Sequence, residues 1–287
     1  MRGRVYARSA GMTAMAVMLG LLMGCIGSGD EIFVISREDG SGTRSAFTEL
    51  VGVQVEDESG GVADRTVDTA EIINSTGVML SSVAENRNAI GYVSLGALSD
   101  DVKALMIDGA AANTENVRNG KYPIRRALQI VLRTEASAVV QDFVAFILGD
   151  SGQKVVEEAG YVGGGTGGVF PVRRASGEIT VSGSSSVFPV MEKLAEAYMS
   201  QNRGVRIVLQ TSDSTTGIQD TADGLCDLGM ASRDLTDDEK EGLQAYTIAL
   251  DGIAVIVHPD NLLENLSRQQ LCDIYTGVLT GWGQLET

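Results

Sequence analysis

Histidine is almost absent from this chain of 287 residues, which has one histidine, three cysteines and one tryptophan. The histidine, His258, stands beside Pro259 at the end of an apolar run, with no serine motif near it. A serine hydrolase needs a base close to its nucleophile, so a Ser-His mechanism is disfavoured. No cluster of cysteine, histidine and carboxylate residues has metal-site spacing, and we expect neither a metal nor another cofactor.

Basic residues are also scarce, since 22 lysines and arginines stand against 38 acidic residues, for a formal net charge of −16. This charge excludes nucleic acid as a natural partner. It does not exclude an anionic ligand, because distant surface charge is screened over about 8 to 10 Å while groups at a desolvated site act directly. Apart from Cys25, only Cys226 and Cys272 are present, too few for a disulfide framework, and buried free thiols are the preferred interpretation.

The first 24 residues differ in kind from the rest. Three arginines precede an uncharged apolar run from Ala10 to Met23, which is short for a membrane span. We therefore predict a signal peptide over residues 1–24. It ends in Leu22-Met-Gly-Cys25, which resembles a lipoprotein signal whose cysteine takes the lipid; the alternative is a plain signal peptide with an incidental cysteine. Without residues 1–24, 19 basic residues stand against 38 acidic ones, for a formal charge of −19.

A glycine turn follows the first apolar run after this segment. Ser36-Arg-Glu-Asp-Gly-Ser-Gly-Thr-Arg-Ser-Ala-Phe47 comes after Ile32–Ile35 and opens an apolar-periodic stretch. The order predicts a strand, a turn and a helix N-terminus, where backbone N–H groups bind anions. The turn lacks both the Gly-Lys-Ser/Thr end of a Walker A loop and the spacing of a dinucleotide fingerprint. A small-anion site flanked by arginines remains, with an ordinary cap by Ser41 or Thr43 as the alternative.

Two later stretches repeat this design. Ile179–Val181 leads into Ser182-Gly-Ser-Ser-Ser-Val-Phe-Pro189, and Val205–Gln210 leads into Thr211-Ser-Asp-Ser-Thr-Thr-Gly217, each followed by a helical stretch. Apolar runs alternate with helical stretches along the chain, which indicates an α/β protein. Three strand-to-helix turns rich in Ser, Thr and Gly predict convergence on one kind of ligand.

Together with Asp227-Leu-Gly-Met-Ala-Ser-Arg-Asp234 and Ile248-Ala-Leu-Asp-Gly-Ile-Ala-Val-Ile-Val257, these stretches resemble the substrate-binding proteins of ABC phosphate importers, the PstS family. The resemblance covers nearly all of the chain after residue 24. It implies an α/β, two-lobed periplasmic-binding-protein-like fold of type II, with no catalytic role. The protein would capture inorganic phosphate between its lobes and deliver it to an ABC permease, as an extracytoplasmic monomer held on the membrane by a lipid on Cys25.

The resemblance also implies, position by position, which residues bind phosphate. One lobe would contribute Arg37, Ser41, Gly42 and Thr43, and the other Ser185, Ser186, Val187, Phe188, Ser214, Ser232, Arg233 and Asp234. Arg37 would give a charge-assisted hydrogen bond, and Val187 and Phe188 would act mainly through backbone N–H groups. The alternative for Arg233 is a surface ion pair.

A carboxylate in the site would separate phosphate from sulfate, because it can accept the phosphate proton. Asp234 is the first candidate for this role and Asp213 the second. Asp213 and Thr215 also depart from the glycine-rich run common in the family, so the resemblance does not fix the course of the backbone there.

The order of the motifs is reversed relative to the family, in which the Gly-Ser-Ser-Ser-Val segment comes first. Here the Thr276–Trp282 segment, which precedes the arginine turn in the family, ends the chain. We therefore predict a circular permutant: a tether over residues 25–30, one lobe from 31–123 plus 252–287, and a second lobe from 124–251 that includes a Gly-rich linker at 163–177. The rival interpretation is exchange of halves between neighbouring chains.

Two alternatives to this function stay open. The ligand could be another oxyanion, such as sulfate or molybdate, or the protein could be a surface sensor or adhesion-type module that keeps the fold without transport. A phosphatase is disfavoured by the missing base and metal ligands. Two further expectations concern local structure: Val53–Asp68 is a surface excursion, and Asn74-Ser-Thr-Gly77 opens a helix, in a region that faces the cleft in the family.

Overall fold

The computed structural model describes residues 30–56, 62–165 and 176–285. The predicted signal peptide, Cys25 and the centre of the predicted linker lie outside the described residues. Within them the strands are β1 (Phe33–Arg37), β2 (Gln54–Glu56), β3 (Val62–Asp64), β4 (Glu71–Ile73), β5 (Ala89–Ser94), β6 (Lys103–Ala104), β7 (Met106–Ile107), β8 (Arg125–Arg133), β9 (Val162–Gly163), β10 (Ser176–Ser184), β11 (Gly204–Ser212), β12 (Leu228–Ala231), β13 (Leu243–Val257) and β14 (Asn265–Leu266). The helices are α1 (Gly42–Val51), α2 (Thr76–Glu85), α3 (Thr114–Arg118), α4 (Ala138–Leu148), α5 (Asp150–Glu158), α6 (Phe188–Gln201), α7 (Ser214–Ala222) and α8 (Arg268–Tyr275).

One long strand, β13, connects the two parts of the main sheet. The strand order is β11-β10-β12-β8-β13-β5-β1-β4, and the short strands β6 and β9 also pair with β13. The first part of β13 pairs antiparallel with β8, up to Gly252 opposite Arg125. From Ile253 onward it pairs antiparallel with β5 instead. The chain therefore forms two lobes that share this strand.

Each lobe has its own hydrophobic core. We call the part that contains β1 the first lobe; its buried residues come from 32–124 and 253–285, together with Val162. We call the part that contains β10 the second lobe; its main core comes from residues between Leu128 and Ala249. In α6, Met191, Leu194, Ala195 and Tyr198 are buried at helical spacing. The expected α/β, two-lobed fold class is confirmed.

Aromatic packing fixes the helix that begins at the arginine turn. Phe47 of α1 stacks on Tyr92 of β5 with ring centroids 4.0 Å apart, and meets the edge of Tyr275 at 4.7 Å. All three rings are buried. Because buried aromatic pairs pack with defined geometry, this cluster sets the position of α1 over the sheet.

The two ends of the described chain are neighbours in the first lobe. Trp282 donates from its backbone N–H to the carbonyl of Asp30 at 2.8 Å, and Ile32 donates to the carbonyl of Thr280 at 2.7 Å. A further backbone donor, Gly283, contacts the Asp30 carboxylate at 3.0 Å.

The structure adds detail to two local predictions and corrects a third, the bounds of the linker. The surface excursion at Val53–Asp68 contains the antiparallel pair β2 and β3. The Asn74–Gly77 stretch opens a helix as expected, since Ser75 caps α2 at Thr76, and Glu71–Ile73 before it forms β4 and pairs with β1. At the predicted linker, Gly163 lies in β9 and residues 176–177 open β10, so only 166–175 lie outside the described residues.

Cys226 and Cys272 are buried free thiols, and burial raises the pKa of both. Within the ranges 30–56, 62–165 and 176–285, no helix combines the length and the apolar character needed to span a bilayer.

Candidate oxyanion site

The arginine turn ends at a capped helix N-terminus. Arg37 is the last residue of β1, and Ser41 caps α1 by accepting a hydrogen bond from the Arg44 N–H at 3.4 Å. Gly42 and Thr43 are the first residues of α1. The first N–H groups of a helix have no partner within it, and the helix dipole favours negative charge there. The predicted strand, turn and helix are therefore all present.

Arg37 is buried, with 2% of its surface exposed, and several hydrogen bonds hold it in place. Its Nε and Nη2 donate to the two carboxylate oxygens of Glu38, each at 2.7 Å, and Nη2 also reaches Ser185 Oγ at 3.3 Å. The Arg37 backbone N–H donates to the Tyr92 hydroxyl at 3.1 Å. Burial raises the pKa of Tyr92 to about 12, so the hydroxyl keeps its proton at neutral pH.

The second lobe contributes a chain of buried hydroxyls. Ser184 Oγ donates to Ser232 Oγ at 3.0 Å, and Ser214 Oγ lies 3.2 Å from Ser232 Oγ. Ser214 Oγ also accepts a hydrogen bond from the Ser232 N–H at 3.0 Å, and Ser184 Oγ accepts one from the Ser186 N–H at 3.3 Å. All four serines are buried. Three separate loops thus meet at one point.

These hydroxyls meet the first lobe directly. Thr43 Oγ1 and Ser186 Oγ are 2.7 Å apart. Thr76, the first residue of α2, places its Oγ1 at 3.2 Å from Ser185 Oγ and 3.4 Å from Ser186 Oγ. A Cβ on Gly42 would lie 2.5 Å from Ser214 Oγ, so only glycine allows this approach. The two lobes are therefore in contact across the cluster.

A second contact between the lobes lies beside the cluster. The Gly40 carbonyl accepts hydrogen bonds from the N–H and Oγ1 of Thr215, both at 3.3 Å. Asp213 caps α7 by accepting from the Thr216 N–H at 2.8 Å, and its Oδ1 would be 2.4 Å from a Cβ on Gly40. Asp213 thus lies where the lobes touch.

Most of the predicted site residues come together, and the remaining four lie in other environments. Arg37, Gly42, Thr43, Ser185, Ser186, Ser214 and Ser232 are buried within the cluster, and Ser41 is the adjoining cap. Arg233 pairs with both oxygens of Glu239 at 2.7 Å, and the exposed Asp234 accepts from Gln129 Nε2. The Val187 N–H donates to the Ser184 carbonyl at 3.0 Å, and Phe188, partly buried, opens α6.

Four contributors are not among the predicted residues: Glu38, Thr76, Tyr92 and Ser184. Thr76 follows the cap Ser75 in the Asn74–Gly77 stretch, so the resemblance to the family already pointed to that region. Ser184 belongs to the same serine run as Ser185 and Ser186. The contact of Tyr92 with Arg37 could not be predicted from neighbouring residues in the sequence, because it depends on the pairing of β5 with β1.

The comparisons with known proteins agree with this architecture. Residues 25–151 and 169–287 match a family described as the PBP superfamily domain. The chain is 43% identical over 274 residues to the phosphate-binding protein PstS 2 of Streptococcus agalactiae serotype V, covering 93% of this chain and 94% of that protein. This chain belongs to the PstS family. A crystal structure of a phosphate-binding protein of a phosphate ABC transporter from Streptococcus pneumoniae TIGR4 is 44% identical, with a TM-score of 0.71 over 89% of this chain and 100% of that one.

A more distant relative matches less of the chain. The phosphate-binding protein PstS of Bacillus subtilis is 33% identical over 117 residues, which is 39% of this chain and 38% of that protein. The S. agalactiae alignment spans both lobes, so that protein and this chain share one order of segments along the chain.

The cluster combines the ion pair of Arg37 and Glu38 with neutral hydroxyl and backbone donors. Hydroxyls and helix N–H groups can surround an anion on several sides, and the Arg37 guanidinium adds a charge-assisted donor. Among the residues that the structure describes, no group of three or more histidine, cysteine or carboxylate side chains could hold a metal ion.

Proposed function

We propose that this protein captures inorganic phosphate between its two lobes and passes it to an ABC permease. The observation that carries the proposal is the convergence of Arg37, Thr43 and the serines of three second-lobe loops on one buried cluster. A tetrahedral oxyanion needs donors on all sides, and this cluster supplies them from both lobes. The PstS relatives, named as phosphate-binding proteins over nearly the full chain, support the same ligand.

Binding proceeds by closure of the lobes about the two strands that cross between them, β8 and β13. The proposed ligands are Arg37, Ser41, Gly42, Thr43, Ser185, Ser186, Val187, Phe188, Ser214 and Ser232, with Arg233 and Asp234 adjoining them. Of the two candidate acceptors of the phosphate proton, Asp213 lies at the lobe contact while Asp234 is exposed, which favours Asp213. The protein has no catalytic role in this proposal.

The proposal places the protein outside the cytoplasm as a monomer, held on the membrane by a lipid on Cys25. Residues 1–24 serve as the signal peptide and 25–30 as the tether. The lobes divide at 31–123 plus 252–287 and at 124–251, in an order circularly permuted relative to PstS proteins in which the Gly-Ser-Ser-Ser-Val segment comes first. The match to only about two-fifths of the B. subtilis relative supports this order, because a chain with exchanged halves aligns over one half at a time.

Isothermal titration calorimetry of the purified protein with phosphate and with sulfate tests the proposed ligand. We expect saturable phosphate binding near neutral pH and much weaker sulfate binding, since sulfate offers no proton to a carboxylate in the site. Tight sulfate or molybdate binding without phosphate binding would assign the cleft to another oxyanion. No binding of any oxyanion would reject the proposal.

A further inference from the structure

A buried ion pair lies where β13 changes its partner. Asp251 stands directly opposite Arg126 in the ladder between β13 and β8, and two residues later β13 pairs with β5. The side chains of Arg126 and Asp251 are 3% and 0% exposed. The pair therefore occupies the crossing between the two lobes, away from solvent.

Each partner of the pair also holds the backbone of a different lobe. Arg126 donates from Nη2 and Nε to Asp251 Oδ2 at 3.2 and 3.4 Å, and from Nη1 to the carbonyl of Ser232 at 3.3 Å. Asp251 Oδ1 accepts from the Leu95 N–H at 3.1 Å. Leu95 follows β5 of the first lobe, whereas Ser232 belongs to the hydroxyl cluster of the second.

The surroundings of the pair are tightly packed and contain a second link between the lobes. The ring of Tyr161, which belongs to the core of the second lobe, lies against Gly96 of the first lobe, where a Cβ would come within 2.0 Å of the Tyr161 Cζ.

Burial raises the pKa of Asp251 and lowers that of Arg126, and attraction within the pair opposes both shifts. A buried ion pair is weak evidence for stability, because well-packed apolar residues of similar volume often serve as well or better.

We propose that Arg126 and Asp251 form a positioning pair for the oxyanion site. Arg126 fixes the carbonyl of Ser232, and so holds the Ser232 hydroxyl against Ser184 and Ser214, while Asp251 ties this arrangement to the first lobe through Leu95. Neither residue contacts the anion in this inference, which rests on the proposed phosphate function. The point at which β13 passes between the lobes is thereby linked to the positions of the serine hydroxyls that would bind the anion.

The test compares phosphate affinity with thermal stability in the full-length protein. In the double variant Arg126→Met/Asp251→Leu, which removes both charges together, we expect a melting temperature near the parent's and phosphate affinity weaker by about 10- to 100-fold, the worth of a hydrogen bond to a charged group. Arg126→Lys keeps a cation beside Asp251 but loses the separate donor to Ser232, and we expect a loss of about tenfold or more. Arg126→Lys also tests the positioning role if the double variant does not fold.

Arg133→Met is the matched control. Arg133 also lies on β8 and donates to backbone carbonyls, those of Thr221 and Cys226, away from the crossing. We expect its phosphate affinity to equal the parent's. If the parent binds phosphate and Arg126→Lys, or the folded double variant, binds it within twofold as tightly, the positioning role is refuted and the phosphate function stands. If the parent does not bind phosphate, the proposed function fails and this inference fails with it.

Discussion

Thr43 and Ser186 share a hydrogen bond of 2.7 Å although they are 143 residues apart in the sequence and belong to different lobes. Thr43 lies in the first turn of α1, just after the arginine turn, and Ser186 lies in the turn before α6. Both are about 1% exposed. Two helix N-termini, one from each lobe, are thus brought to a single point, and each prediction about the ligand depends on how closely they approach.

Gly42 should be essential for this approach. In Gly42→Ala, the new Cβ would lie 2.5 Å from Ser214 Oγ and 2.8 Å from Ser232 Oγ, so the lobes cannot close in the same way. We expect phosphate affinity, measured by calorimetry, to fall by tenfold or more, as about 1.4 kcal/mol of closure energy is lost.

Gly77→Ala is the control, because it also lies in the first turn of a helix near the site and nothing lies within 4 Å of its Cβ position. Its affinity should match the parent's. Parent-like binding by Gly42→Ala would show that the ligated state does not bring α1 against Ser214 and Ser232.

Arg37 should contribute more to phosphate binding than Thr43 does. A hydrogen bond to a charged donor is worth about 1.5 to 3 kcal/mol, against about 1 kcal/mol for a neutral one. We therefore expect Arg37→Ala to weaken phosphate binding more than Thr43→Ala, in titrations at one pH and ionic strength. If Arg37→Ala binds phosphate as the parent does, the ligand is held elsewhere.

The sequence predicts the backbone of this site better than its side-chain pairing. The strands and turns that carry Arg37, Ser186 and Ser214 have local signals, because glycine, serine and apolar runs act within a few residues. The partners of Arg233 and Asp234 could not be predicted, since Glu239 and Gln129 reach them only through tertiary packing. The pairing of Arg126 with Asp251 likewise depends on the register of two strands that are distant in the chain.

The ion pair between Arg233 and Glu239 should make stability depend on pH. Hydrogen bonds from Arg233 lower the pKa of Glu239 below its ordinary value of 4.5. A depressed pKa adds stability above the unfolded value, and that stability is lost as the pH falls through the folded value. Glu239→Gln should therefore lower the free energy of unfolding by about 1 kcal/mol at pH 7, and by progressively less below pH 4.5.

Urea unfolding of the phosphate-free protein at several pH values measures this difference. Asp237→Asn is the comparison, because Asp237 pairs with Lys240 in the same short segment but is fully exposed. We expect no resolvable effect from that change. A difference for Glu239→Gln that persists unchanged at acid pH would show that packing, not the ion pair, is responsible.

Cys25 should anchor the protein. Acyl chains bind membranes with about 0.8 kcal/mol for each buried methylene, and more than one chain gives stable attachment. Cys25→Ala should therefore release the protein from the membrane fraction or block its processing, as judged by fractionation and by the mass of the product. Ser28→Ala, in the same tether, is the control and should stay attached. Unchanged attachment and mass in Cys25→Ala would leave residues 1–24 as a plain signal peptide.

The proposed permutation predicts that the chain can be opened and rejoined without loss of binding. Asp30 and Trp282 are joined by a 2.8 Å backbone hydrogen bond, so a short Gly-Ser connection from Leu285 to Asp30 spans a small gap. Opening the chain within residues 166–175 would give the segment order in which the Gly-Ser-Ser-Ser-Val segment comes first, and chain ends in compact proteins can often be relocated. We expect this variant to be monomeric by light scattering and to bind phosphate within about threefold of the parent's affinity, or 0.7 kcal/mol.

The control keeps the parent order but replaces 166–175 with ten Gly and Ser residues, which separates the effect of the linker sequence from that of the order. A rejoined variant that binds phosphate only as a dimer would instead favour exchange of halves between neighbouring chains, because each site would then need residues from two molecules.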